Sequence, residues 1–290
     1  MRIENRINPL KRSGDRRSIL AVEQKETIIS WVNDDHTITL KKLVQRVEDH
    51  MRLNIDDNIV NRVLKGFHYT LKQVVSIPER RNMPSVIETR YNYAVYFNEL
   101  LFSKPDSSFV FLDEVGFNVV SRTSRGRSLV GSTPIIPTTA TRARNISVIA
   151  SANKYGMISY HINNAPVSGE DFKTFLIGLN GECIRRGNSN PVFILDNARI
   201  HHYRGLCNVI DELSLNLLFL PPYSPFLNII ENWFAKWKNY VLRGQARNED
   251  ELQVLINSGF NSIENSDCEG YFRKMLRCIE RCRCREEFNE

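Results

Sequence analysis

The stretch VFILDN, residues 192–197, joins an apolar run to an acid. Four large apolar residues in succession are typical of a strand that is buried on both faces of a sheet, and Asp196 follows them directly. The stretch FVFLDE, residues 109–114, repeats this pattern with Asp113 as its first acid. A single Asp after a strand usually belongs to a turn. Two acids at equivalent positions instead favour a shared site.

A third acid follows a third apolar run. Glu231 lies at the start of a helix predicted near 229–243, just past the predicted strand 215–220. Asn228 precedes it by three residues, the spacing of a capping box, so Glu231 alone could serve only as a cap. In sheets covered by helices, catalytic groups gather at the carboxyl ends of strands. If the three strands are neighbours, the three acids meet at one edge of the sheet.

The rest of the chain predicts an α/β fold preceded by helices. A hairpin is predicted by the runs 145–152 and 157–162 around Asn-Lys-Tyr-Gly. Further helices are predicted over 85–102, 169–186 and near 199–213. Nearer the N-terminus, three short helices are predicted over 23–33, 39–51 and 56–65.

Three such helices are typical of a helix-turn-helix unit, although a plain three-helix bundle would give the same pattern. The exposed side of the third helix would present side chains suited to base edges and phosphates: Asn58, Asn61, Arg62 and Lys65.

Positive charge is concentrated where DNA contact is predicted. Residues 1–104 contain 18 Lys and Arg against 13 Asp and Glu, out of a net charge of +6 for the chain. The basic arm of residues 1–18 includes Lys11, Arg12, Arg16 and Arg17. No acid occurs between Glu114 and Glu170, an interval that includes Arg122, Arg125 and Arg127. Both segments suit a phosphate backbone, although a nuclear-targeting cluster or an ordinary basic surface would also fit.

Several classes of protein are disfavoured. No stretch approaches the roughly 20 apolar residues of a membrane span, and the N-terminus lacks the apolar region of a secretory signal. The six cysteines lack the paired spacing of common zinc sites, so free thiols in a reducing compartment are favoured. Phosphate-loop, serine-hydrolase and zinc-peptidase motifs are missing from the sequence.

Three clustered carboxylates repel one another, and a divalent cation relieves that repulsion. Oxygen ligands suit Mg²⁺ or Mn²⁺, and two such ions about 4 Å apart can stabilise the attacking and leaving oxygens of a phosphodiester displacement. The sequence therefore predicts metal-dependent chemistry on a phosphodiester.

Four motifs in order, FLDEVGFN, RGRSLVG, ILDNARIHH and LPPYSPFLNIIENWF, resemble the DDE transposases of the mariner superfamily and their bacterial insertion-sequence relatives. Asp196 and Glu231 are separated by 34 residues, a spacing characteristic of that family. The resemblance implies an RNase H-like domain with a mixed five-stranded sheet, in which Asp113, Asp196 and Glu231 are catalytic and bind two Mg²⁺ or Mn²⁺ ions. It also implies cleavage at transposon ends and strand transfer into target DNA.

The resemblance implies supporting residues and partners as well. Glu114, Asn197, His201 and Asn232 are expected beside the acids, although a purely structural role is an alternative for His201. The expected partner is double-stranded DNA, comprising terminal inverted repeats and target, bound by a homodimer. The expected location is the nucleus in a eukaryote or the cytoplasm in a bacterium.

The chain departs from the family pattern in two ways. Relatives carry two helix-turn-helix subdomains, whereas this chain has room for one, and its KRSGDRR resembles the linker between them. The usual LNPIEN is LNIIEN here. A decayed or domesticated copy that only binds DNA is therefore the alternative function. The predicted organisation is a basic arm (1–20), a helix-turn-helix domain (21–66), a linker with connecting helix (67–104), a catalytic domain (105–245) and a Cys-rich helical tail (246–290).

Overall fold

The computed structural model describes residues 19–72, 74, 76–118, 135 and 145–289. Contacts divide the chain into two compact units, one up to Ser76 and one from Ile77 onward. The finer division into arm, linker, catalytic domain and tail stays a prediction. Within the described ranges, no helix has the length and apolar character needed to cross a membrane.

The first unit consists of three helices, as predicted: α1 (Val22–Asp34), α2 (Leu40–Met51) and α3 (Asp57–Gly66). The Thr39 side chain accepts a hydrogen bond from the Lys42 N–H at the start of α2, and Asp56 accepts one from the Ile59 N–H at the start of α3. The core of this unit is formed by Leu20, Ile28, Leu43, Val47, Ile55, Val60 and Val63.

The second unit is built on a mixed five-stranded sheet. Its strands are β1 (Phe109–Phe117), β2 (Ile146–Asn153), β3 (Gly156–Asn163), β4 (Val192–Leu195) and β5 (Asn216–Phe219). The spatial order is β3-β2-β1-β4-β5. The three strands on the β3 side are paired antiparallel, whereas β1, β4 and β5 are paired parallel. The three strands followed by acids are therefore neighbours.

Helices cover both faces of this sheet. They are α4 (Pro84–Ser103), α5 (Gly169–Arg185), α6 (Gly205–Leu213), α7 (Ile229–Gly244), α8 (Glu249–Phe260) and α9 (Asn265–Arg283). One core joins the sheet to α4, α7, α8 and α9, and a second core joins it to α5 and α6. The Trp237 indole N–H of α7 donates to the Ile256 carbonyl of α8 at 2.8 Å, which fixes these two helices together.

Strand β1 is longer than the predicted run 109–112. Its parallel pairing with β4 stops at Phe111, but its antiparallel pairing with β2 continues to Phe117. Asp113 therefore lies inside a strand, two residues beyond the end of the β1–β4 ladder, and the prediction that it ends the strand is wrong. The continued ladder with β2 satisfies the backbone hydrogen bonds here, so polar side chains do not end the strand.

The helix predicted near 199–213 is divided. A short 3-10 turn covers Arg199–His202, and α6 begins only at Gly205. Between them the Tyr203 backbone is extended, and its ring packs so closely on Gly169 and Gly205 that a Cβ atom at either glycine would collide with it. The chain therefore turns at Tyr203 instead of continuing as one helix.

Candidate active site

An open cleft of about 340 Å³ lies at the carboxyl edge of the parallel strands. Asp113, Asp196 and Glu231 all line it. Its remaining lining residues come from the chain after β4, the loop after β5 and the cap of α7: Asn197, Ala198, Leu220, Pro221, Pro222, Tyr223, Ser224, Pro225 and Asn228. The structure therefore brings the three predicted acids to one place.

Asp113 faces the α7 side of the sheet because alternate residues of β1 point to opposite faces, and Phe111 and Val115 belong to the core on that side. Its Oδ1 accepts the Glu114 N–H at 2.8 Å, and its Oδ2 accepts a hydrogen bond from the Asn228 amide at 3.3 Å. Burial raises the pKa of Asp113 to about 7, and the charges of Glu114, Glu231 and Asp196 act in the same direction.

Asp196 directly follows β4 and has a half-exposed side chain. Its Oδ1 accepts the Ala198 N–H at 2.8 Å and lies 2.9 Å from Nδ1 of His201. The hydrogen bond from His201 lowers the pKa of Asp196. The carboxylate is thus fixed through one oxygen, and its other oxygen is available to a ligand in the cleft.

Glu231 stands in the first turn of α7. Asn228 does cap this helix, since its side chain accepts the Ile230 N–H at 3.3 Å. The reciprocal half of a capping box is not formed, because the Asn228 N–H donates to the Pro225 carbonyl at 2.9 Å. Desolvation raises the pKa of Glu231, opposed by the charge of Lys238 and assisted by that of Asp196. Its carboxylate is therefore not used as the cap.

His201 contacts two acidic residues, Asp196 after β4 and Glu114 of β1. Its buried imidazole lies 3.0 Å from Oε1 of Glu114, which points to the α5 side of the sheet, and it packs on Phe172 of α5 with ring centroids 4.4 Å apart. Burial lowers the pKa of His201, but its hydrogen bonds with Asp196 and Glu114 outweigh this and raise the pKa to about 10. A protonated ring can donate from both nitrogens and hold both carboxylates at once.

Asn197 and Asn232, the other two predicted supporting residues, make different contacts. The Asn197 amide donates to the Leu220 carbonyl at 2.6 Å, which ties the chain after β4 to the chain after β5. The Asn232 amide oxygen instead accepts from Lys274 of α9 at 3.3 Å, and Asn232 does not line the cleft. The sequence reasoning missed Asn228 as a partner of Asp113. Its position three residues before Glu231 indicates only the cap.

Only some of the predicted DNA-contact residues lie in the part of the chain that the structure describes. Lys11, Arg12, Arg16 and Arg17 lie outside the described residues, as do Arg122, Arg125 and Arg127. On α3, Asn58, Arg62 and Lys65 are exposed and Asn61 is half-buried. This face is therefore available to a partner, as predicted from the helical pattern.

The donor set suits a divalent metal ion. Asp113, Asp196 and Glu231 supply carboxylate oxygens, the ligand type that Mg²⁺ and Mn²⁺ prefer. Burial raises the pKa values of Asp113 and Glu231, so a cation bound in the cleft would stabilise their charged forms. In the part of the chain that the structure describes, no three His, Cys, Asp or Glu side chains already stand close enough to share one ion. Binding would therefore require the carboxylates to turn toward a common point in the cleft.

Comparison with known proteins agrees with this geometry. A family model described as DDE superfamily endonuclease matches residues 108–253. The paired-end complex of Mos1 transposase with the left transposon end has a similar fold, with a TM-score of 0.73 at 16% identity over 98% of this chain and 81% of that chain. The Mos1 strand transfer complex gives 0.72 at 17% identity over 100% and 83%.

The catalytic domain of Mos1 mariner transposase alone gives a TM-score of 0.56 at 16% identity, over 76% of this chain and 100% of that chain. A search of curated proteins found no match. The family model spans half of the chain and includes all three acids of the cleft. The chain therefore belongs to the DDE superfamily endonucleases, and its second unit has the RNase H-like fold of a mariner transposase.

Proposed function

We propose that this chain is a metal-dependent DNA transposase that cleaves phosphodiester bonds at the ends of a transposable element and joins those ends to target DNA. The observation that supports this is the meeting of Asp113, Asp196 and Glu231 in one cleft of a DDE endonuclease fold. Membership of an endonuclease family supports the proposed reaction type, and the position of the three acids in the cleft supports the proposed roles of these residues.

The three carboxylates would hold two divalent ions, either Mg²⁺ or Mn²⁺. Ions bound there would stabilise the charge on the attacking and leaving oxygens of the phosphodiester. The residues of the chain prepare the cleft for this. Asn228 orients the Asp113 carboxylate, and His201 with the Ala198 N–H fixes one oxygen of Asp196. Solved relatives of similar fold include Mos1 paired-end complexes with Mn and with Mg.

Double-stranded DNA is the proposed partner. The exposed side chains of Asn58, Arg62 and Lys65 on α3 would contact terminal inverted repeats, where amide groups read base edges and cations contact phosphates. The similar fold of Mos1 in its paired-end and strand transfer complexes supports this assignment. Function as a homodimer on paired ends and location in the nucleus or bacterial cytoplasm are parts of the same proposal.

The test is cleavage of a supercoiled plasmid that carries the chromosomal DNA on either side of the gene. With Mg²⁺ or Mn²⁺, the wild type should nick or linearise this plasmid, whereas Asp196→Asn should not. Asp211→Asn is the matched control, because Asp211 is an exposed acid on α6 that does not line the cleft. If all three proteins bind the plasmid and none cuts it, the chain is a DNA-binding relic and the proposal fails.

A further inference from the structure

The segment after α9 packs against the loop that lines the catalytic cleft. The ring of Phe288 stacks on that of Phe226, with centroids 3.9 Å apart and planes 11° apart. Phe288 is 2% exposed. Phe226 belongs to the short 3-10 turn Pro225–Leu227, which immediately precedes Asn228. An aromatic stack thus joins the segment after α9 to the residues that begin α7.

The side chain of Asn82 pairs with the backbone N–H and carbonyl of Phe288, as a neighbouring strand would. The Asn82 side-chain oxygen accepts the Phe288 N–H at 3.1 Å, and the Asn82 amide donates to the Phe288 carbonyl at 3.3 Å. The same amide donates to the Asn289 side chain at 2.9 Å. A reciprocal pair of this kind fixes both the position and the orientation of Phe288 against the turn before α4.

Three arginines surround the two rings. The guanidinium groups of Arg281 and Arg90 lie 4.3 and 5.2 Å from the Phe288 ring centroid, and that of Arg81 lies 5.3 Å from the Phe226 ring. Arg90 is buried and donates to the Arg81 carbonyl at 2.8 Å. A buried guanidinium group is costly unless backbone carbonyls and aromatic ring faces contact it. These contacts therefore restrict the two stacked rings to one geometry.

The stack is connected to the acids by a short series of contacts. The Leu227 N–H donates to the Ser224 carbonyl at 3.1 Å, and the Asn228 N–H donates to the Pro225 carbonyl at 2.9 Å. Asn228 then contacts Asp113 and caps the helix that carries Glu231. Displacement of Phe226 would therefore displace Asn228, and with it the partner of Asp113.

We infer that Phe288 is a positioning residue for the catalytic cleft, which it reaches only through Phe226. No residue of 284–289 lines the cleft, so the segment after α9 does not touch the reacting groups. The effect on catalysis rests on the proposed function, whereas the effect on the loop does not.

The first test measures hydrogen exchange of the amides in residues 223–231. In Phe288→Ala these amides should exchange about tenfold faster or more, while residues 172–179 of α5 keep their protection. Phe288→Tyr, which keeps the ring, should restore slow exchange. Phe102→Ala is the matched control, because Phe102 is 94% exposed. Unchanged exchange at 223–231, or an equal increase throughout the second unit, would overturn the inference.

A second variant avoids the cavity that Phe288→Ala creates. Asn82→Ala removes the side chain that holds the Phe288 backbone, at a half-buried position, and should raise exchange over the same residues. If it leaves residues 223–231 fully protected, the Asn82 pairing does not position the loop and the inference fails.

The final test separates binding from chemistry. At saturating plasmid DNA and Mn²⁺, Phe288→Ala should cleave about tenfold more slowly than wild type while its DNA affinity is unchanged, and Phe288→Tyr should recover the rate. If the wild type cleaves the plasmid and Phe288→Ala cleaves it at the same rate, the positioning role is overturned. Absence of cleavage by the wild type would instead refute the proposed function, and the exchange result would still decide whether Phe288 holds the loop.

Discussion

Replacing Asp113 with Asn should change how the stability of the metal-free protein depends on pH. The pKa of Asp113 is raised from 3.8 to about 7 by burial and by the neighbouring acids. Between these two values the folded chain keeps a proton on Asp113 that the unfolded chain has lost. Because the folded state then binds more protons, the free energy of unfolding falls as pH rises through this window.

The magnitude follows from the difference of about three pH units between the two pKa values, which corresponds to about 4 kcal/mol. Asp113→Asn removes this penalty because its amide does not ionise. The difference in the free energy of unfolding, variant minus wild type, should therefore increase by up to about 4 kcal/mol between about pH 4 and about pH 8. Asp196 and Glu231 titrate in both proteins, so their contributions largely cancel in this difference.

The assay is denaturant unfolding of both proteins across this pH range in EDTA, followed by a repeat with Mn²⁺ at about pH 8. Mn²⁺ at 100 times its dissociation constant should stabilise the wild type by about 2.7 kcal/mol and the variant by much less. A variant-minus-wild-type difference that is the same at about pH 5 and about pH 8 would refute the reasoning. It would mean that Asp113 is already ionised in the folded chain near pH 5.

Three further predictions concern single side chains. Asn228→Ala should be less stable than Asn228→Ser by about 1 kcal/mol in denaturant unfolding, because serine keeps the cap of α7, and equal stabilities would contradict the cap. Both variants should bind Mn²⁺ more weakly than the wild type in calorimetry. His201→Leu should cost about 3 kcal/mol because it leaves the half-buried Glu114 without its partner, and the double variant His201→Leu, Glu114→Leu should cost less; an additive cost would exclude coupling. Arg62→Ala should leave thermal stability unchanged but reduce by about 1 the slope of log affinity for DNA against log salt, and an unchanged slope would remove Arg62 from the interface.

The sheet and the acids were the predictable part of this chain. Apolar runs predict β1, β4 and β5, and the structure meets the condition on which the meeting of the acids depends, since these strands are neighbours. The length of β1 was not predictable, because Asp113, Glu114 and Gly116 interrupt its apolar pattern. What keeps these residues in a strand is the ladder with β2, a partner distant in sequence.

The supporting contacts of the site were predicted less well than the acids. The link between His201 and Glu114 crosses 87 positions of sequence, and no local pattern indicates which face of β1 a neighbouring acid takes. Asn228 has two roles, and only the cap has a signature at short spacing. The stack of Phe226 on Phe288 likewise depends on how α9 returns to the start of α7.

The alternation of side chains along β1 also restricts the number of residues that can precede Asp113 in this strand. Asp113 and Glu114 are adjacent but serve opposite faces, one at the cleft and one at His201. Deletion of one residue between Phe109 and Asp113 would move Glu114 into the cleft and bring Val115 to the position that faces His201, since a shift of one position reverses every side chain. The cleft would then contain a carboxylate that is one methylene too long, and His201 would lose its carboxylate partner on β1. The count of residues before Asp113 is therefore constrained as strictly as the identity of the acids.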